Sequence, residues 1–249
     1  RIDVIKWAGA VDTFDITDLH KIFPGHSNNY HAYMAHVRYA TRGRKDEVLN
    51  DAHPHVIGGD MKNLLSHVTI RDCEMVIVHN GQVNDEYLSE VDPRDLKTRC
   101  DTEALLHLVK KKGEQAIVQT IPGAYTLAFA DKRREGIVVL RDKLGMRPGV
   151  LGWKDGKYCA ASEDIALRKN GGEVIEELES GCAYYLYPNG SYHKERIKDR
   201  NEEKNCFFEY NYLADLDSII KGVSVRRIRE SLGETLAEEF HPEDADYVT

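Results

Sequence analysis

The sequence lacks what would tie it to a membrane, a polyanion or a disulfide scaffold. Its aliphatic runs, such as Gly136-Ile-Val-Val-Leu140, fall far short of the ~20 residues that a bilayer span needs. Positive charge is not in surplus: 34 Lys+Arg against 42 Asp+Glu leave a formal net charge of −8, which argues against nucleic acid or an anionic membrane held by general electrostatics. The five cysteines, at 73, 100, 159, 182 and 206, are odd in number, widely spaced and without a Cys-x-x-Cys pair. No disulfide framework is therefore expected, and a reducing cytoplasm is the natural setting. A glycine-rich phosphate loop is also missing, since Gly58-Gly59 and Gly171-Gly172 read as turns and Gly149-Val-Leu-Gly152 lacks the pattern.

What is present is the composition of a globular protein, 41% hydrophobic and 31% charged over 249 residues, enough for one large domain or two small ones. Three hairpin signals fall in one stretch. Strands at 123–129 and 137–140 flank a polar turn, Lys154-Asp-Gly156 separates 150–153 from 157–160, and Pro188-Asn-Gly190 separates 183–187 from 191–192. That density of turns predicts antiparallel sheet. Residues 33–39 and 74–78 are further candidate strands, each running into a polar, glycine-bearing loop. A helix is expected over 102–112, with Ala104, Leu105, Leu108 and Val109 on one face and Gly113 as its stop. A second is expected over 224–240, on Val225, Ile228, Leu232 and Leu236. The charged connector 201–205 places a domain edge near residue 205.

The 11 histidines include His53-Pro-His55 and the spaced His26, His31 and His36, but none forms a helical His-x-x-x-His pair or a Cys/His zinc spacing, so no metal site is expected. Two strand ends carry more promise. In His36-Val-Arg-Tyr-Ala-Thr-Arg-Gly43, Arg38, Tyr39 and Thr41 stand where strand gives way to loop, and an arginine there can clamp a small carboxylate. A solvated surface arginine fits the same spacing. In His79-Asn-Gly81, an Asn80 side chain beside the Gly81 N–H offers two donors to an oxyanion, although Asn-Gly is also a common turn. Asp101, at a helix start, reads as an N-cap, as a partner for an α-amine, or as both. Together, Arg38, Asp101 and Asn80-Gly81 would suit an amino acid with a side-chain carbonyl, such as glutamine.

In that order, these residues resemble the glutaminase domain of the class II, N-terminal-nucleophile glutamine amidotransferases. The likeness covers nearly the whole chain. His36-Val-Arg-Tyr-Ala-Thr-Arg-Gly43 matches the family's H-x-R-Y-x-T-x-G, Val78-His-Asn-Gly81 its H-N-G loop, and Cys100-Asp-Thr-Glu103 its S-D-[TS]-E helix start. Gly123-Ala-Tyr-Thr-Leu127, Arg141-Asp-Lys-Leu-Gly-Met-Arg-Pro148 and Ala161-Ser-Glu163 match its G-A-Y-S, R-D-x-x-G-x-R-P and A-S-E segments. Cys206-Phe-Phe-Glu-Tyr-Asn-Tyr-Leu-Ala-Asp-Leu-Asp-Ser218 is similar to the linker of the amidophosphoribosyltransferase branch of purine synthesis.

The resemblance implies an α+β fold of the N-terminal-nucleophile hydrolase type, an αββα sandwich of two antiparallel sheets between helical layers. It implies a glutaminase domain over 1–205, and over 206–249 a linker with the first helix of a phosphoribosyltransferase domain. By position, Arg38 would hold the α-carboxylate, Tyr39 and Thr41 would shape the pocket, Asn80 and the Gly81 N–H would bind the oxyanion, and Asp101 would hold the α-amine. The implied partners are glutamine and, through a phosphoribosyltransferase domain, phosphoribosyl pyrophosphate with magnesium, in a homo-oligomer. Some members bind an iron–sulfur cluster through a cysteine at the Cys206 position, but one ligand of four is too few to expect a cluster here.

The chain starts at Arg1 and ends in Ala245-Asp-Tyr-Val-Thr249, which looks like a strand beginning, so trimming at both ends is expected. The family's nucleophile is a cysteine that uses its own α-amine as base, and none of the five cysteines qualifies, so the chain as it stands is expected to be inactive. Other departures are Cys100 in place of serine, an early second asparagine at Asn84, Asp215-Leu216 in place of Arg-Pro, and a long stretch from Gly59 to Cys73, expected as an enlarged loop or hairpin extension. Two alternatives stay open: an inactive paralogue that binds an amino acid or regulates a partner, and a class II amidotransferase with another ammonia acceptor.

Overall fold

Along strand β5 (Met75–Val83), Met75, Ile77 and Val83 face one way and Val76 the other, and the fold is built on that period-two alternation. The computed structural model describes residues 1–25, 29–38, 48–64, 67–199 and 203–240. Before β5 come β1 (Ile2–Trp7), α1 (Ile16–Ile22), α2 (Val48–Asp51), β2 (His55–Ile57), β3 (Asp60–Asn63) and β4 (His67–Cys73). After it come α3 (Asp101–Lys112), α4 (Glu114–Thr120), β6 (Gly123–Asp131), β7 (Ile137–Arg141), β8 (Val150–Lys154) and β9 (Lys157–Ala161). Then follow α5 (Asp164–Lys169), β10 (Glu173–Glu177), β11 (Cys182–Leu186), β12 (Tyr192–Arg196), β13 (Ile219–Ile220), β14 (Val223–Ser224) and α6 (Val225–Glu239).

A six-stranded antiparallel sheet, ordered β12-β11-β7-β6-β5-β2, carries the site. On one face, Met75, Ile77, Tyr125, Leu127, Phe129 and Leu140 pack against Leu105, Leu106, Leu108, Ile117 and Val118 of α3 and α4. Leu105, Leu106 and Leu108 are fully buried, and truncating any one to alanine would cost about 2–5 kcal/mol. On the other face lie two three-stranded sheets, β1-β4-β3 over Val76 and β10-β8-β9 over Val139 and Tyr184. Helix α5 packs on β9 and β10, outside that second layer. The expected αββα layering is thus present, with the second sheet layer in two pieces among the described residues.

The three predicted hairpins form as β6–β7, β8–β9 and β11–β12. The stretch after Gly59 is a hairpin extension, with β3 pairing to β4 and β4 to β1. Residues 33–38 correct an expectation. Met34, His36 and Arg38 are half-buried and alternate with exposed Tyr33, Ala35 and Val37, yet no strand pairs with them. The alternation sets which side faces inward, but a strand also needs a ladder partner, and none of the described strands lies alongside.

The R-D-x-x-G-x-R-P segment is a buried hub. Arg141, 2% exposed, donates from Nε to the Arg147 carbonyl (3.0 Å), from Nη2 to the Gly145 carbonyl (2.9 Å) and from Nη1 to the Leu178 carbonyl. Asp142 accepts from the N–H groups of Tyr125 (3.1 Å), Leu144 (2.8 Å) and Gly145 (3.0 Å). Burying these two opposite charges is tolerable because every acceptor and donor finds a partner.

A seam of carboxylates catches the C-terminal segment. Glu163 accepts from the Asp215 N–H (2.7 Å) and the Ser218 hydroxyl (2.6 Å), Asp164 from the Ile219 N–H (2.8 Å), and Glu177 from the Lys221 N–H. Arg147 pairs with the buried Glu209 at 2.5 Å, and burial pushes the Glu209 carboxyl up while Arg147 pulls it back. Beyond the seam, α6 is capped by Ser224, whose hydroxyl accepts from the Arg227 N–H, and apart from Val225 none of its side chains is fully buried.

Candidate glutamine site

Strand β5 does not turn at His79-Asn80-Gly81, as its dipeptide suggested, but runs straight through, with Asn80 opposite Thr126 and Gly81 opposite Tyr125. The ladder to β6 outweighs the local turn preference. Gly81 is needed here. Its φ is +153°, and a Cβ would stand 2.1 Å from the Ala124 carbonyl oxygen and 2.8 Å from His79 Nε2. A glycine-only backbone position therefore sits directly beside the half-buried Asn80.

Helix α3 brings the second group. Asp101 is its first residue and not its N-cap, which is Cys100, and no side chain caps the helix. The Asp101 carboxylate instead accepts from the Val83 N–H at 2.9 Å, tying the end of β5 to the start of α3. The side chain remains 17% exposed. A capping role was expected because aspartate at a helix start usually bonds its own helix. Here the end of a neighbouring strand offers a donor that the first turn does not. Glu103 finishes the job by accepting from the N–H groups of Lys97 (3.0 Å) and Thr98 (2.7 Å) and from the Thr98 hydroxyl (2.7 Å), which fixes the turn before Cys100.

His79 lies between these parts. Its Nδ1 is 3.0 Å from Thr102 Oγ1 and 3.9 Å from Asp101 Oδ2. Burial pushes its pKa down to about 4, with Asp101 pulling the other way, so the ring is neutral at pH 7. Arg38, on the inward side of the extended segment, has a side chain 19% exposed and a guanidinium nitrogen 3.9 Å from Asp51 Oδ2. Its charge is felt by His36, His53, His55 and Cys100. The Cys100 Sγ is 3.7 Å from Asp101 Oδ1.

The fold thus links Asp101 to the strand of Asn80-Gly81 directly and past His79, while the Arg38 charge is felt at Cys100. Tyr39 and Thr41 lie outside the described residues. Reasoning from the sequence missed His79, Thr102 and Glu103 as supports of the site. The only signal for them was their place inside the H-N-G and S-D-[TS]-E patterns. It also missed the grouping of His53 and His55 with Cys100, which are far apart in the chain. Cys206 belongs to no group of three or more potential metal ligands among the described residues. No helix among the described residues is long and apolar enough to cross a membrane.

A fixed cation, a fixed anion and an amide-bearing strand are what a zwitterion with a reactive side-chain amide requires. The family model for the glutamine amidotransferase domain matches residues 66–199, just over half of the chain. The chain belongs to this glutamine amidotransferase family. Among its relatives, the amidophosphoribosyltransferase of Archaeoglobus fulgidus is 31% identical over 229 residues, covering 87% of this chain and 46% of that protein. The Escherichia coli amidophosphoribosyltransferase is 29% identical over 245 residues, covering 86% and 46%. A solved structure of glutamine phosphoribosylpyrophosphate amidotransferase from B. subtilis, complexed with ADP and GMP, superimposes with a TM-score of 0.64 at 25% identity, covering 84% of this chain and 44% of that one. A second, described as the allosteric regulatory enzyme of purine biosynthesis, gives a TM-score of 0.67 at 26% identity with the same coverage. The amidotransferase domain seen here spans less than half the length of these relatives, and its fold is the N-terminal-nucleophile hydrolase sandwich.

Proposed function

We propose that this chain is the glutamine-binding half of an amidophosphoribosyltransferase, which releases ammonia from glutamine for transfer to phosphoribosyl pyrophosphate. The observation that carries the reading is the 2.9 Å bond from the Val83 N–H to the Asp101 carboxylate, which sets Asp101 at the end of the strand that presents Asn80 and Gly81, with the Arg38 charge felt at the neighbouring Cys100 thiol. The guanidinium would take the α-carboxylate and Asp101 the α-ammonium, both charge-assisted contacts. The glutamine amide would then lie over β5, where the Asn80 side chain and the Gly81 N–H meet the oxyanion of a tetrahedral intermediate. Tyr39 and Thr41 would complete the pocket wall.

The attack requires a cysteine whose own α-amine takes the thiol proton. A thioester then forms, ammonia leaves, and water releases glutamate. The chain's own cysteines are unsuited to it. Burial raises the thiols of Cys100, Cys159 and Cys182, and that of Cys73 to about 11, the opposite of an activated nucleophile. This chain's own residues would supply the binding and oxyanion groups. Phosphoribosyl pyrophosphate, and magnesium with it, would be met by a phosphoribosyltransferase part, and the assembly would be a homo-oligomer.

In an enzyme that carries this chain together with such a nucleophile and acceptor domain, Arg38→Ala or Asp101→Ala should raise KM for glutamine by about 10²-fold or more, the loss of one charged hydrogen-bonded contact each. Synthesis driven by added ammonia should stay within about twofold of the parent. An equal fall in both reactions would refute the assignment.

A further inference from the structure

One cluster, with His55 buried and His53 and Cys100 half-buried, borders the glutamine site but has been given no step in its chemistry. We propose that His53, His55 and Cys100 bind a transition-metal ion, zinc by preference, beside the first residue of α3. One ring nitrogen of each histidine and the Cys100 Sγ all lie within 4.8 Å of one another. Between Cys100 Sγ and His53 Nε2 the separation is 3.9 Å. A tetrahedral ion with bonds of about 2.3 Å to sulfur and about 2.0 Å to nitrogen needs an edge of about 3.5 Å, so small side-chain rotations close the site.

His55 gives the independent indication. It is 3% exposed, and its Nε2 is buried without a hydrogen-bond partner among the described residues. The ring also senses the backbone of Asp51 as a hydrogen-bond partner. A backbone contact that fixes the tautomer and leaves a lone pair on Nε2 is the usual support of a metal-ligating histidine. Without an ion, that buried lone pair goes unsatisfied, which native structures rarely allow.

His53 can supply the second nitrogen. Its Nδ1 takes only a long 3.4 Å contact from the His79 N–H, which is given up when Nε2 binds an ion and the ring proton moves to Nδ1. The His36 ring, 4.1 Å away, holds the His53 ring in place. The charged groups around the two ligand rings are Arg38 and Lys6 on one side and Asp51, Asp101 and Glu103 on the other, so a dication with one thiolate enters a balanced setting. A thiolate with two imidazoles selects zinc or a neighbouring late metal over magnesium or calcium.

The ligands come from two segments far apart in sequence, the entry to β2, with His53 in the loop and His55 at the strand's start, and the N-cap of α3. The ion would staple them together. The test is cobalt(II) titrated into the full chain without glutamine, read by thiolate-to-cobalt charge-transfer absorption. One equivalent should bind and zinc should displace it. Cys100→Ser is the informative variant, because the family that the sequence resembles carries serine there, and circular dichroism verifies its fold. It should lose the charge-transfer band, and Cys100→Ser and His55→Ala should each weaken cobalt binding by more than about 100-fold, whereas Cys159→Ser should leave it intact. Zinc should raise the Tm of the parent by several degrees and of neither ligand variant. A flat spectrum, as an ordinary thiol–imidazole hydrogen bond would give, or a band that survives Cys100→Ser, would overturn the proposal. Either result leaves the glutamine reading untouched.

Discussion

Lys6 is a residue whose surroundings oppose its charge. It is 7% exposed, its ammonium reaches only the Asn50 carbonyl, at 3.4 Å, among the described residues, and burial drags its pKa from 10.5 down to about 8, with Glu103 and Asp51 pulling partly back. The unfolded chain holds this proton up to about pH 10.5 and the folded one only to about 8, so stability rises with pH across that window and the full penalty applies below it. Lys6→Met should therefore stabilise the protein by up to about 3 kcal/mol at pH 7 and by only about 1 kcal/mol near pH 9.5. Urea unfolding at both pH values checks this, and an equal gain at each would rule out the titration. Single residues were legible in the sequence where a motif named them. Arg38, Asn80, Gly81 and Asp101 were readable in that way, but the burial that shifts Lys6, or the hub around Arg141, is set by residues that only the folded chain brings near.

Among the elements, the hairpins were readable because Asp-Gly and Asn-Gly demand particular turns. The buried face of α3 was readable because leucines repeat at helical spacing. Strand β10, with Glu173, Val174 and Ile175 exposed, and α4, starting directly after Gly113, carry no such signature. Neither does the turn at 97–100, whose shape depends on one carboxylate. Glu103 is 4% exposed and satisfies three donors there, so Glu103→Ala should destabilise the fold by about 2–4 kcal/mol. Because that turn leads into Cys100 and Asp101, KM for glutamine should rise several-fold while ammonia-driven synthesis holds, and Glu103→Gln should recover most of the loss. Thermal unfolding together with paired kinetics tests it. A purely structural role would lower Tm without moving KM.

At the scale of the whole molecule, the acidic seam joins the sandwich to the segment that precedes α6. Glu163 alone receives two of its bonds, so Glu163→Ala should let the amides of 215–221 exchange at least about tenfold faster, the loss of about 1.4 kcal/mol or more, with the β5–β6 ladder unchanged. Hydrogen exchange resolved by segment measures this, and uniform acceleration would mean global destabilisation instead. The domain edge suggested by the charged run at 201–205 is a change of composition, which is why the sequence offered no sign of these ties. The same stitching bears on where the polypeptide can be divided for grafting or chimeras. A piece stopped at 205 would leave Glu163, Asp164 and Glu177 facing solvent and Arg147 without its counter-ion. A piece carried through the β13–β14 hairpin to Val225 keeps these stitches and the packing of Tyr210, Ala214 and Ile220 on Val225, so the transplantable module ends past the point where the charges thin out.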